Sequence, residues 1–400
     1  MKWEQRALAD CASFFSGGTP NKGRPEYWGG AIPWVSSGEM TSQFIKDTTL
    51  QITEEGLSAG SRLMPEGTIF TVVRGMSLAT EFRVSYATAP MAFNQDLKAL
   101  VAKEGIDPYF LFSALRSQAT SIRDLATEAA HGTKKLEMER FQSFQILVPD
   151  LDTQIQVAKA IRNYDDLIEN NQRRIALLEE SAHLLYREWF LNLRFPGHES
   201  YPSVGGVPEG WARKSISDMV QINPKVAFEK DRIYPFVPMQ ALSECSMLIE
   251  DTEERAISGG AKFQNQDTLL ARITPCLENG KTGFVQFLEE DKPVASGSTE
   301  FIVMRSESVS PYWVYCTARD EGFRKHAIGS MVGSDGRQRV NLKCFDSYFA
   351  FQPPENVLND FDEKVEPMFK EIQLLSRMNQ RLREARDALL PKLMSGEIQV

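Results

Sequence analysis

Two glycine-flanked basic loops carry the residues best suited to chemistry in this 400-residue chain. The first runs Gly17-Gly18-Thr19-Pro20-Asn21-Lys22-Gly23-Arg24 and continues into Tyr27-Trp28-Gly29-Gly30. Flexible glycines there are expected to set Lys22 and Arg24 beside exposed aromatics such as Trp28, an arrangement suited to phosphates and base edges. The second loop, Gly329 to Asn341, presents Arg337, Gln338 and Arg339 after Gly333 and Gly336. From Arg324 to Lys343 five basic residues stand against one Asp, a local charge of +4. Arg and Gln are the side chains whose paired hydrogen-bonding groups match guanine and adenine edges in a major groove. Lys134 and Lys135 take the corresponding place in the first half, and Arg74, Arg272 and Lys281 add cations within Gly-broken β-type runs. Any one of these reads equally as a solvated surface cation. Recurrence at matching places in both halves is what points to nucleic acid.

Enzymatic alternatives find no anchor. The four histidines (His131, His183, His198, His326) form no HxH or HExxH spacing, so a catalytic metal has no evident site. No GxSxG elbow, Walker loop, GxGxxG fingerprint, S-adenosylmethionine loop or Asn-Pro-Pro-Tyr-type pocket occurs. The acidic pairs Glu54-Glu55 and Glu253-Glu254 read as solvated surface. Five scattered cysteines without a CxxC fit reduced thiols and a cytoplasmic location. The first ten residues lack the apolar stretch of a signal peptide, and no run approaches the ~18 apolar residues of a membrane span.

The elements that must position the loops are written twice. A mostly apolar seam spaced alternately by three and four runs through Ile161, Tyr164, Ile168, Asn171, Ile175, Leu178, Ala182, Leu185 and Trp189. The same register, offset by 204 residues throughout, runs through Val365, Met368, Ile372, Leu375, Asn379, Leu382, Arg386, Leu389 and Leu393. Such seams predict two long helices pairing as an antiparallel coiled coil, with Asn171 and Asn379 either fixing the register or tolerated at its edge. A helix over Leu151 to Trp189 is roughly 58 Å long at 1.5 Å per residue. Upstream, Trp3, Leu8 and Asp10 recur as Trp211, Ile216 and Asp218. Ile32 to Val35 (IPWV) answers Tyr234 to Val237 (YPFV), and Pro108-Tyr109-Phe110 answers Pro311-Tyr312-Trp313.

Strand-like runs are expected at Thr68 to Arg74, Phe144 to Pro149, Phe284 to Leu288, Glu300 to Met304 and Tyr348 to Pro353, with helices at Tyr109 to Ser121 and Tyr312 to Lys325. The fold class is α+β, with two similar domains and two long helices in an internal repeat. The expected order is a first domain over 1–150, a central helix over 151–192 and a Gly/Pro-rich linker over 193–209. A second domain over 210–354 and a C-terminal helix over 355–400 follow. Charged residues at 25% and hydrophobic ones at 42% fit a globular chain. The net charge of −9 divides as −2, −2, −3 and −2 over residues 1–150, 151–200, 201–350 and 351–400. No segment is basic, so attraction to nucleic acid must come from small patches, and the chain by itself should bind weakly.

Taken together, the residues resemble the specificity subunits of type I restriction-modification systems. The likeness rests on Gly17-Gly18-Thr19-Pro20 through Ile32-Pro33-Trp34, Phe93-Asn94-Gln95-Asp96, Leu167-Ile168-Glu169-Asn170-Asn171 and Leu184 to Phe190. In the second half it rests on Ala271 to Lys281, Gly297-Ser298-Thr299-Glu300-Phe301, Val332 to Val340 and Leu389 to Leu393. Gly75-Met76-Ser77 departs from its counterpart Thr274-Pro275-Cys276, and Leu358 to Phe361 lacks the Leu-x-x-Gln opening of Leu151 to Gln154.

The resemblance implies a non-catalytic chain whose target-recognition domains each read half of a split, asymmetric site in double-stranded DNA. Its helices would act as a ruler and dock two modification subunits through the seam and its surroundings (Ile168, Asn171, Ile175, Leu178, Leu185, Trp189, Ile372, Leu375, Asn379, Leu382, Leu389). Restriction subunits would join that core. No cofactor is expected on this chain; S-adenosylmethionine, Mg and ATP would belong to the partners, and no membrane is involved. The competing reading is a non-catalytic assembly scaffold whose duplicated domains bind protein.

Overall fold

Each globular half positions its main helix with the same device. Asp107 precedes Pro108 and its carboxylate accepts from the Phe110 amide, while Ser310 precedes Pro311 and its hydroxyl accepts from the Trp313 amide. A polar cap followed by proline satisfies an orphan donor and presets the first helical φ, so both helices start where the sequence repeats. They end sooner than expected. The first spans Pro108–Ser117 and resumes as Ala119–Arg123; the second spans Pro311–Arg319 and restarts as Glu321–Gly329. The second break is chemical: Asp320 leaves the helix to cap the next one, accepting from the Gly322 and Phe323 amides.

The computed structural model describes residues 3–129, 132–229, 232–256, 259–334 and 336–399. The chain forms two compact units, residues 1–168 with 381–400, and residues 169–380. Both are α+β and mostly antiparallel. In the first, Glu4–Ala7 pairs with Gln145–Val148, and Ala12–Ser16, Leu97–Ala102, Ile69–Val72, Val84–Ala87 and Phe44–Ile45 make a five-stranded sheet. In the second, Ala212–Ser215 pairs with Phe349–Gln352, and Val220–Ile222, Phe301–Ser306, Thr268–Ala271 and Thr282–Phe284 make a four-stranded sheet. One parallel pairing recurs: Trp34 and Val35 run beside Ala92 and Phe93, and Phe236 and Val237 beside Ser296 and Gly297. The repeat is therefore one of topology. The strand expected over Phe284 to Leu288 lies earlier, because Thr282–Phe284 is the segment that pairs with Thr268–Leu270.

Two helices dominate the rest: a central one, Leu151–Tyr186, closing in a π-type turn over Arg187–Leu191, and a C-terminal one, Glu355–Ser395. At the start of the central helix Asp150 accepts from the Thr153 amide and hydroxyl. Gln154 accepts from the Asp107 amide and donates to the Gly105 and Pro149 carbonyls. The Leu-x-x-Gln opening thus ties the helix to the capped helix of its own domain.

Within each unit the long helices run antiparallel. In the second, Asn171 Nδ2 donates to Asn379 Oδ1 at 2.9 Å in a buried pair, Arg174 meets Glu371, and Trp189 packs on Phe361. Ile168, Ile175, Trp189, Ile372 and Leu375 are buried, and Leu178, Leu185, Leu382 and Leu389 half-buried. In the first unit Leu389, Leu390, Leu393 and Met394 pack with Val157, Ala158 and Ile161.

The Gly/Pro-rich stretch after the central helix is no loose tether. Phe195 is buried against Trp211 and Tyr201, and Ser203–Val204 pairs with Val207–Pro208. Its glycines serve a tight hairpin, with Gly205 and Gly206 at positive φ.

Candidate nucleic-acid interface

In the first unit the loop from Gly17 is built by close approach rather than by flexibility. A Cβ on Gly17 would lie 2.3 Å from the Phe93 carbonyl oxygen, and one on Gly18 2.0 Å from that of Gly60. The Trp34 indole donates to the Gly18 carbonyl and the Thr19 hydroxyl to Gln95. From this pinned base the tip projects. Lys22 is exposed, and Arg24 lies over the Tyr27 ring with Nη1 donating to the Tyr27 hydroxyl. Trp28 is half-buried, edge-on to Trp34 at 5.2 Å. Its indole, which also donates to the Asn21 carbonyl, therefore braces the loop.

A second basic group in this unit comes from a short ladder. Arg74–Gly75 pairs with Lys134–Lys135, which pairs in turn with Thr127–Glu128. The register puts Arg74 directly opposite Lys135. Like charges facing each other across strands weaken a sheet, so this pair brings the fold no benefit of its own. Lys134 lies 4.0 Å from Glu128 and Lys135 3.2 Å from Glu137, while Arg74 stays exposed.

The second unit repeats the backbone and changes the side chains. Ile273 and Val332 both bridge to Arg339, the Thr274 amide donates to the Gln338 carbonyl, and the Gln338 amide donates to the Thr274 hydroxyl. The equivalence follows from matching bonds. Val73 donates to the Asp96 carbonyl and accepts from the Leu136 amide, while Arg272 donates to the Glu300 carbonyl and accepts from the Val340 amide. Arg339 therefore stands where Lys135 stands, Gln338 where Lys134 does, Glu300 where Asp96 does, and Arg272 where Val73 does. At the departure itself the backbones part: Gly75 adopts φ +144°, whereas Thr274 has no positive φ and its bond to Pro275 is cis.

Arg337 is exposed with no hydrogen bond or ion pair from its side chain among the described residues, and Gln338 is half-buried. Arg339 makes a two-pronged contact with Glu300, and the Arg272 Nε, 4.0 Å from the same carboxylate, has no hydrogen-bond partner among the described residues. Arg339 holds the Glu300 carboxyl below its usual range, against the opposing effect of burial.

Lys281 is differently employed. Its amine donates to the Met239 and Leu242 carbonyls at 3.3 and 3.0 Å, tying the loop before Ser243 to the sheet. Lys281→Ala is expected to cost about 1.5–3 kcal/mol of stability, as loss of charge-assisted hydrogen bonds does, and to leave the salt dependence of DNA binding unchanged. Chemical unfolding and binding isotherms at several salt concentrations measure both.

Glu179, which the sequence alone did not single out, ties the second globular part to the central helix. Its carboxylate accepts from the Ser246 hydroxyl and the Met247 amide at 2.7 and 2.8 Å, and burial pushes its pKa up against those bonds. Glu300 was equally hidden, since its role depends on a partner distant in sequence. Among the described residues no group of three His, Cys, Asp or Glu side chains is placed to hold a metal, and no helix is long and apolar enough to cross a membrane.

Residues 1–180 match the family described as the type I restriction modification DNA specificity domain. Over 420 aligned residues the chain is 25% identical to the type I restriction enzyme MjaIX specificity subunit of Methanocaldococcus jannaschii, covering 100% of this chain and 94% of that one. It is 27% identical to the EcoR124I/EcoR124II specificity subunit of Escherichia coli over 202 residues, 49% of this chain and 50% of the relative. Among solved structures, the type I restriction-modification S subunit from M. genitalium shares its fold, with a TM-score of 0.58 at 12% identity over 98% of this chain and 96% of that one.

Proposed function

We propose that the chain, similar along its length to the specificity subunits of type I restriction-modification systems, is such a subunit, a non-catalytic component that recognises DNA, and that each globular domain reads one half of a split DNA site. The observation that carries this reading is the shared ladder fitted with different side chains. Arg74, Lys134 and Lys135 stand at one copy; Gln338 and Arg339, with Arg337 beside them, stand at the other. One docking geometry with two reader sets gives two different half-sites, so the full site is asymmetric. Arg and Gln in the second domain suit guanine and adenine edges; Lys22, Lys134 and Lys135 suit phosphates, and Arg24 with Trp28 a base edge.

The long helices set the separation of the half-sites and dock two modification subunits. Leu177, Leu184 and Leu191 support the docking role: they recur every seven residues and are exposed, Leu177 and Leu184 on the helix face away from the seam and Leu191 in the π-type turn that closes the helix. A leucine row facing solvent on a helix whose other face is already packed is suited to a protein partner. Those partners would supply S-adenosylmethionine and methylate adenine, and restriction subunits would bring Mg, ATP and cleavage. The assembly would work in the cytoplasm.

Arg337→Ala in the assembled complex tests base reading. It should relax selectivity at one or two base pairs of a single half-site, by about 1–3 kcal/mol, and leave the other half-site unchanged. Sequencing methylated adenines in cells carrying either form measures it. Uniform loss at every sequence would make Arg337 a phosphate contact, and methylation independent of this gene would reject the functional reading altogether.

A further inference from the structure

Arg339 occupies a reader position, yet part of its guanidinium is already engaged. Glu300 accepts from Nε through Oε1 and Oε2 at 3.0 and 2.9 Å, and from Nη2 through Oε1 at 2.6 Å. These bonds use the inner edge of the planar group. A guanidinium has five N–H donors, and the two on Nη1 have no partner among the described residues. Nη1 and the outer hydrogen of Nη2 form the end-on fork that fits the O6 and N7 acceptors of guanine. The side chain is also fixed at its root. The Arg339 amide donates to the Val332 carbonyl at 2.9 Å and its carbonyl accepts from the Val332 amide at 3.0 Å. With both ends held, Arg339 has already lost much of the rotamer freedom that a docking arginine must otherwise give up.

Glu300 is itself well supported. Its side chain is 21% exposed against 45% for Arg339, its amide donates to the Ser298 hydroxyl, and its carbonyl accepts from the Arg272 amide. The carboxylate is thus set back and the arginine reaches past it. The first unit has the same backbone without this pairing: Asp96 takes the place of Glu300, but Lys135 turns to Glu137. An ammonium has no planar fork to aim.

We infer that Glu300 is a specificity-determining positioning residue, holding Arg339 by its inner edge so that the free Nη1–Nη2 edge meets a guanine in the second half-site. This rests on the proposed DNA-recognition role of that domain. Without the carboxylate Arg339 keeps its charge but swings freely, exchanging a base contact for any nearby phosphate.

The test uses the full chain assembled with its modification subunits and a duplex library randomised across the bound region. Wild type, Glu300→Gln and Arg339→Lys are compared, and thermal melting is followed for each. Wild type should select guanine at one pair of the second half-site. Both variants should lose that preference by about fivefold or more, with the remaining positions and the first half-site unchanged. Glu300→Gln that keeps the guanine preference, or weakens all sequences evenly, overturns the inference. If Glu300→Gln fails to fold, Arg339→Lys decides, since a lysine that preserves the preference shows that no aimed fork is needed. A wild-type complex that selects no split site rejects the recognition role itself, a result distinct from either.

Discussion

Replacing Asp165 with alanine is expected to destabilise the first unit by about 3–5 kcal/mol, the usual cost of removing one partner from a buried ionic cluster. Asp165 is fully buried on the central helix. Arg386 of the C-terminal helix donates to Oδ1 at 2.6 Å, and Arg116 and the Tyr109 hydroxyl each donate to Oδ2 at 2.7 Å. The two arginine side chains are 6% and 10% exposed, so without the carboxylate neither is adequately solvated. Gln43 and Asp387 also contact Arg386, and of these only Asp387 carries an opposing charge. Burial and then Asp165 itself push the Tyr109 hydroxyl pKa far above its usual value, so it remains a donor at any working pH. Chemical unfolding of the Asp165→Ala chain measures the loss, and hydrogen exchange over 381–395 locates it. A cost below about 1 kcal/mol would mean that water compensates the arginines and the cluster is weaker than its burial implies.

The same place in the second unit has the opposite chemistry. The repeat carries Asp165 onto Phe369 and Arg386 onto Ala182. Phe369 packs edge-on against Phe284, Tyr312 and Tyr315, with Tyr312 in the position that Tyr109 holds in the first unit. A helix end docked on the wrong unit would put Arg386 among aromatic rings and leave Asp165 without a counter-ion. Two helix ends with similar apolar patterns are thereby kept from exchanging places, which a purely hydrophobic seam would allow.

That cluster also marks what the sequence could and could not show. Arg386 falls on an apolar heptad position, and a charge there signals a buried acid on the facing helix. Nothing local picks Asp165 out from its neighbour Asp166, because the choice depends on which carboxylate faces inward. The repeat itself was legible, since helical seams, proline-aromatic openings and closing strands are short-range patterns that fold alike in both copies. Lys281 looked like a DNA contact because charge says nothing about the carbonyls an amine meets, and those carbonyls belong to a distant loop. The Gly17-Gly18 pair looked flexible because glycine composition does not distinguish a free turn from a backbone pressed against another strand. Glu300 and Arg339 are far apart in sequence, and neither residue type announces the other.

Lengthening both long helices by seven residues should move the recognised site without rewriting it. The division between the units falls between Ile168 and Glu169 on one helix and between Gln380 and Arg381 on the other. Insertions there leave intact the Asp165–Arg386 cluster in one unit and the Asn171–Asn379 pair in the other. Seven is the number to choose, because the apolar seam alternates threes and fours, and a heptad returns it to nearly the same face. The added rise is about 10.5 Å, or roughly three base pairs of B-form DNA. At the original site only one half can then be engaged. Binding there should fall at least about a thousandfold, toward the level of nonspecific DNA, while selection from a randomised library returns the original half-sites about three base pairs farther apart. An insertion in one helix alone puts the Asn171–Asn379 pair or the Asp165 cluster out of step, and should cost folding rather than shift the spacer. If the double insertion leaves the spacer unchanged, or changes the half-sites instead, the helices do not measure the DNA and their role is confined to assembly.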